Sequence, residues 1–263
     1  MELDDAYANA AYIPDADAFP PRWSGAAAAY RAGLGLRAEC DVSYGASPRQ
    51  IYDLFRPDGA SRGLFVFVHG GYWLKFDKSY WSHLAAGMVD AGWTVAMPSY
   101  DLCPEVRISD ITVQISRAIT ALAERVEGPI LLAGHSAGGH LVARMVCQGV
   151  LPPQVAARLG HVLPISPVAD LRPLLRTSMN DAFGMNEQDA AAESPTLISN
   201  RHNIPVTVWV GADERPVFVE QARALGAAWD VPVVIAPGKH HFDVIDSLTD
   251  PDGEMVQKLT QTV

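Results

Sequence analysis

The chain has 263 residues, enough to bury a sizeable core in one large α/β domain or two small ones. Apolar residues make up 49% and charged residues 19%, the balance of an ordered globular chain rather than a disordered one. A net charge of −10 argues against nucleic acid as a partner, because phosphate contacts need clustered Lys and Arg. Three widely separated cysteines (Cys40, Cys103, Cys147) form no CxxC pair and no zinc spacing, so they read as reduced thiols. The acidic start MELDDAYANAAYIPDADAFPP lacks the basic and apolar regions of a signal peptide. No apolar run approaches the roughly 20 residues needed to span a bilayer. A cytoplasmic location without membrane partners is expected.

In chain order, residues 1–60 read as an entry arm followed by edge strands in RAECDVSYG and RQIYDLFRPDG. Short apolar runs then recur at Leu64–Val68, Trp93–Met97, Ile130–Ala133, Val162–Ile165, Val206–Val210 and Pro232–Ala236. Continuous rather than alternating apolar runs suit strands buried on both faces. Between the second and third runs, Ile111, Ile115, Ala118, Ile119, Leu122 and Val126 fall on one helical face, and Gly128-Pro129 stops the helix. The alternation predicts one α/β domain over residues 1–263: a mostly parallel central sheet with right-handed crossovers and helices on both faces. Residues 166–202 are too long for a simple connection and too polar for a strand. They are expected to form a short cap insertion above the carboxyl ends of the strands, where open α/β sheets bind ligands.

The most informative stretch is ILLAGHSAGGHLVARMVC, which contains Gly134-His135-Ser136-Ala137-Gly138. The G-x-S-x-G pattern is common by itself, and its meaning depends on a strand before and a helix after. Both are present. In that context the pattern is a nucleophile elbow, which lifts the Ser136 hydroxyl above the sheet and aims a helix N-terminus at it. The combination predicts an α/β-hydrolase fold.

An acyl-transfer enzyme must also hold the negative oxygen of a tetrahedral intermediate, and fixed backbone N–H groups do so without reorganising. LFVFVHGGYW, ending at Trp73, offers a glycine-rich loop directly after a buried strand. The expected donors are the N–H groups of Gly71, Tyr72 and Ala137. Tyr72 and Trp73 are expected to wall the scissile bond and to suit a flat aromatic substrate. A triad in this fold follows the order Ser, acid, His. Asp213 and Glu214 in VTVWVGADERP compete for the acid, and His240 and His241 in IAPGKHHFDVIDSL compete for the base. Spacing does not choose between them. His69 belongs to the glycine loop, His135 and His140 flank Ser136, and His83, His161 and His202 lie off the motifs.

The motifs HGGYW, GHSAGGH, VGADERPVF and HHFDVI resemble those of kynurenine formamidase (arylformamidase)-like α/β-hydrolases. DDAYANAAYIP and SYDLCPEVRISDI resemble bacterial members, so the likeness spans essentially the whole chain. In that family the acid precedes a small or charged residue, Pro, any residue and Phe, and the histidine directly precedes Phe. The resemblance therefore implies Glu214 and His241. Arg215 stands where Ser is frequent, and Asp213 adds a neighbouring carboxylate; both bear on the substrate more than on the fold. The implied activity is hydrolysis of an aryl formamide such as N-formyl-L-kynurenine by Ser136, His241 and Glu214. No metal and no cofactor are expected, and the partner is a small aromatic substrate. The alternatives are a carboxylesterase or thioesterase acting on small acyl esters, or a non-catalytic receptor on the same fold. A homodimer is compatible with the sequence, which fixes no oligomeric state.

Overall fold

The computed structural model of the protein describes residues 1–261. Eight strands build one sheet: β1 (Ala38–Ser43), β2 (Ile51–Phe55), β3 (Leu64–Val68), β4 (Thr94–Pro98), β5 (Ile130–His135), β6 (Leu159–Ile165), β7 (Val208–Gly211) and β8 (Val233–Ala236). Their spatial order is β1-β2-β4-β3-β5-β6-β7-β8. β2 pairs antiparallel with β1 and with β4, and every later pairing is parallel. The six apolar runs and both edge strands are present, with ends displaced by up to three residues.

The sheet separates two apolar layers. Leu64, Val66 and Val68 of β3 face one layer while Phe65 and Phe67 face the other, as the two-residue period of a strand requires. The first layer is closed by the helices Ile108–Arg125, Ala137–Val146 and Pro216–Trp229, the second by Phe19–Leu34 and Glu254–Thr260. On Ile108–Arg125 the expected stripe is buried as read, from Ile111 through Leu122. Each large aliphatic side chain buried this way contributes about 1.5–3 kcal/mol. Among the described residues no helix is long and apolar enough to cross a membrane.

Two regions differ from expectation. The entry arm contains a sixteen-residue helix, Phe19–Leu34, which buries Phe19, Trp23 and Ala27 at four-residue spacing. Residues 166–202 fold as short helical turns, including Asn180–Phe183 and Glu187–Ala192. They are stitched sideways onto neighbouring helices. Glu193 accepts from Thr112 at 2.7 Å and from Arg144 at 3.1 Å, and the Gln221 side chain caps the Ala169 and Asp170 amides.

Parallel pairing brings the carboxyl ends of β3, β5, β6, β7 and β8 to one edge. At that edge the main chain after β5 lies hard against β3. A Cβ on Gly138 would stand 1.9 Å from the Val68 carbonyl oxygen. Gly138→Ala is therefore expected to lower stability by about 3 kcal/mol or to prevent folding. Gly25→Ala, in the helix Phe19–Leu34 with nothing within 4 Å, is expected to raise stability by about 0.5–1 kcal/mol. Thermal melts of the two variants check the contrast.

Candidate active site

Ser136 sits between β5 and the helix Ala137–Val146 with φ 58° and ψ −115°, a left-handed conformation that serine adopts only when held there. The holding contacts are the Ser136 amide on the Ile165 carbonyl at 2.8 Å and the His140 amide on the Ser136 carbonyl at 3.0 Å. A Cβ at Gly134 would meet the Gly138 carbonyl at 2.2 Å, so the turn closes only with glycine on both sides of the serine. The serine hydroxyl does not cap the helix it introduces, and Ser136 lines the cavity at the sheet edge.

The glycine loop lies directly beside it. A Cβ at Gly70 would stand 3.0 Å from Ser136 Cβ, and Gly71, Tyr72 and Trp73 all have positive φ. Among the described residues the N–H groups of Gly71, Tyr72 and Ala137 donate to no protein acceptor. Ala137 opens its helix, where such orphan donors are inherent. His69 pins the loop from below. Its ring stacks on Tyr100 at 4.3 Å, its Nδ1–H donates to the Gly70 carbonyl at 2.8 Å, and burial pushes its pKa down to about 4.

Of the two carboxylates after β7, Glu214 is buried and Asp213 is exposed. Glu214 Oε1 accepts from the Gly211 amide at 2.8 Å and from the Ser166 hydroxyl at 2.5 Å, while Oε2 accepts from His241 Nδ1–H at 2.6 Å. That bond holds the neutral imidazole with the proton on Nδ1 and leaves Nε2 as an acceptor. His241 is buried against His135 and Phe218, with ring centroids 4.5 and 4.4 Å away. His240 is engaged elsewhere, with Asp243 at 3.2 Å and on the Phe19 ring. Ser136 and His241 line the same cavity. Among the described residues no hydrogen bond joins Ser136 Oγ to His241 Nε2; contacts of this kind commonly tighten only around bound substrate.

A strained serine beside unpartnered amides, with a carboxylate-anchored histidine on the same cavity, is the equipment of acyl transfer. A family model described as the alpha/beta hydrolase fold matches residues 65–221. The chain belongs to the alpha/beta hydrolase fold family. It is a hydrolase with relatives of two kinds. A crystal structure of a protein from a Silicibacter species, provisionally assigned as a thioesterase, is 60% identical with a TM-score of 0.98 over 99% of each chain. Kynurenine formamidase of Salmo salar is 27% identical over 83% of this chain and 80% of its own length. That of Drosophila melanogaster is 29% identical over 79% of this chain and 76% of its own.

The cavity of this alpha/beta hydrolase holds about 440 Å³, within the usual range for small-molecule sites. One side is aromatic: Trp23, Phe76, Trp81 and Phe242 interlock there, with Trp23 and Trp81 rings 4.7 Å apart. Tyr72 lines the cavity as expected, but Trp73 does not. It is fully buried between His140 and Phe183, at 5.1 and 5.7 Å, because the reversed backbone at residues 72 and 73 sends the two rings apart. The cap expectation also changes: residues 166–202 bring only Met179 to the cavity among the described residues. The outer wall comes instead from the N-terminal arm, through residues 7–11, 16 and 17. Ser166, Asn9 and Trp23 were not singled out from sequence. Ser166 stood directly after a recognised strand, and that position was its one signal.

Several histidines around this core are held neutral. Burial pushes His69, His83, His140 and His161 down to about 4, and burial together with neighbouring His241 pushes His135 lower still. Their folded pKa lies below the unfolded value near 6.5, so their contribution is complete above about pH 6.5 and is lost as pH falls toward 4. Each affected histidine costs up to about 1.4 kcal/mol per pH unit in that window. The melting temperature is expected to fall steeply from pH 6.5 to 4.5, and a flat profile there would contradict the buried neutral assignment.

Proposed function

We propose that this hydrolase cleaves an aryl formamide, with N-formyl-L-kynurenine as the reference substrate, using Ser136, His241 and Glu214. In this reading His241 Nε2 takes the Ser136 hydroxyl proton as Oγ bonds to the formyl carbon, and the carbonyl electron pair moves onto oxygen. The amides of Gly71, Tyr72 and Ala137 stabilise that oxyanion, and Glu214 stabilises the imidazolium without taking its proton. Collapse breaks the C–N bond, and His241 returns the proton to the departing arylamine. Water, activated by the same histidine, then attacks the formyl-serine and releases formate.

The observation that carries the reading is the aromatic wall beside Ser136. A formyl group is the smallest acyl group and needs almost no room, so an enclosed aromatic cavity suits the leaving group. Lys75 and Asp17 line the same cavity and have no ion-pair partner among the described residues, which suits the charged ends of an amino-acid tail. The kynurenine formamidase relatives support the same chemistry. The 60%-identical neighbour favours a second reading, hydrolysis of a small acyl ester or thioester by the same residues.

Purified enzyme assayed in parallel with N-formylkynurenine and 4-nitrophenyl acetate separates the two. Formamide turnover is expected; ester turnover without it would leave the esterase reading. Ser136→Ala is expected to lower kcat by roughly 10⁴-fold or more with an unchanged melting curve.

Replacing the acid tests the assignment of roles. Glu214→Gln is expected to lower kcat by about 10²–10⁴-fold, because the imidazole loses its tautomer and its counter-charge. Asp213→Asn is expected to stay within about twofold, as an exposed change away from the chemistry. The reverse order would reassign the acid.

A further inference from the structure

Arg215 follows Glu214 directly, yet its side chain turns toward the N-terminal arm. Its guanidinium donates to the Asp5 carboxylate at 2.9 Å and to the Asp5 carbonyl at 3.2 Å. The same group lies 3.6 Å over the Tyr12 ring, and the Tyr12 hydroxyl closes the loop by donating to Asp5. Asp5 and Tyr12 bracket residues 7–11, the part of the arm that lines the cavity. One guanidinium thus staples both ends of the wall segment. Inside the staple, the Tyr72 hydroxyl donates to the Tyr7 carbonyl at 2.7 Å, and Gln221 donates to the Tyr7 hydroxyl at 3.1 Å.

The charge pattern fits a latch rather than a catalytic group. Arg215 is only about one-fifth exposed while Asp5 is mostly exposed, so an arm carboxylate reaches in to a cation rooted beside helix Pro216–Trp229. A planar guanidinium can serve a carboxylate and an aromatic face together, which an ammonium group does poorly. We propose that Arg215 is a positioning residue that fixes the N-terminal arm as the outer wall of the pocket and so sets selectivity for bulky aryl leaving groups over small alkyl ones. The proposal rests on the reading above that the cavity at Ser136 takes the substrate, but not on the substrate being a formamide.

The test compares Arg215→Ala, Asp5→Ala, the double variant and Arg215→Lys with the parent enzyme. Esters of one acyl group, 2-naphthyl acetate and ethyl acetate, report the leaving-group side whether or not the enzyme also hydrolyses N-formylkynurenine. The ratio of kcat/KM for naphthyl over ethyl acetate is expected to fall roughly tenfold in each alanine variant, mainly through KM, given one ion pair and one cation–π contact removed. The double variant should be no worse than either single one, because both remove the same latch. Arg215→Lys should recover part of the ratio. Amide hydrogen exchange of residues 3–12 should speed up in the alanine variants while the β3 and β5 amides stay protected. An unchanged ratio in Asp5→Ala, equal losses on both esters in Arg215→Ala, or unchanged arm exchange would each overturn the proposal. Failure of the formamidase reading would look different: no N-formylkynurenine turnover by the parent enzyme, with the ester ratio still responding to the latch.

Discussion

The arrangement depends on how closely two stretches of main chain approach at the end of β3 and β5. The Val68 carbonyl occupies the space a Cβ would need at Gly138, and Gly70 leaves only 3.0 Å between its own missing Cβ and that of Ser136. Side chains at either position would push the glycine loop away from the serine by more than an ångström. Oxyanion donors lose most of their value over such a distance. β3 and β5 are adjacent in the sheet although some sixty residues apart in sequence, so sheet order rather than local sequence creates the approach. A left-handed serine costs on the order of 1–3 kcal/mol, and it persists because its amide and carbonyl are both tied to neighbouring elements.

Burying Glu214 imposes a second constraint. An ionised carboxylate in the interior is tolerable only when hydrogen-bonded and paired, and Glu214 has three donors, from β7, from the residue after β6 and from His241. Those donors fix the carboxylate in one orientation, and the carboxylate fixes one orientation of the imidazole. Ser166 is itself left-handed at φ 46°, so the strand end beside the elbow stores strain of the same kind. The reactive edge is therefore held by the sheet from below at each point where chemistry is expected.

Much of this was legible in the sequence, and the exceptions have physical causes. Central strands announce themselves as unbroken apolar runs, and an elbow between strand and helix is a local pattern. Asp213 and Glu214 are neighbours on one turn, and their spacing to His241 differs by a single residue. Only the turn's own hydrogen bonds separate them, with the Asp213 amide going to the Lys239 carbonyl and the Gly211 amide drawing Glu214 inward. Family likeness pointed to Glu214 and His241, and the geometry brings those two together. Tyr72 and Trp73 look equivalent in sequence, but two successive left-handed residues reverse the chain, and one ring faces the cavity while the other enters the core. The helix Phe19–Leu34 carries an alanine run and two prolines at its start, and only three buried anchors mark its inner face.

The arm was the least legible element, because what it does is decided by contacts more than two hundred residues away in sequence. Nothing in DDAYANAAYIP states that a guanidinium at position 215 will hold it. The consequence reaches the chemistry. The sheet and elbow provide a serine, an imidazole and amide donors that would act on many acyl compounds, and fold alone does not select among them. Selection has to come from what encloses the leaving group, and here that enclosure has two sources of different rigidity. The aromatic side is built into the second core layer, with Trp23, Phe76 and Trp81 packed edge to face. The opposite side is a surface segment with small alanine side chains, held by a few polar contacts. A rigid aromatic face with a lighter wall across from it suits a flat ring that slides in edge-first and is then covered. Covering it removes water from the bond being broken, which strengthens the fixed dipoles around the developing oxyanion. Leaving-group recognition and transition-state electrostatics are thus tied to the same piece of chain, the one furthest in sequence from His241.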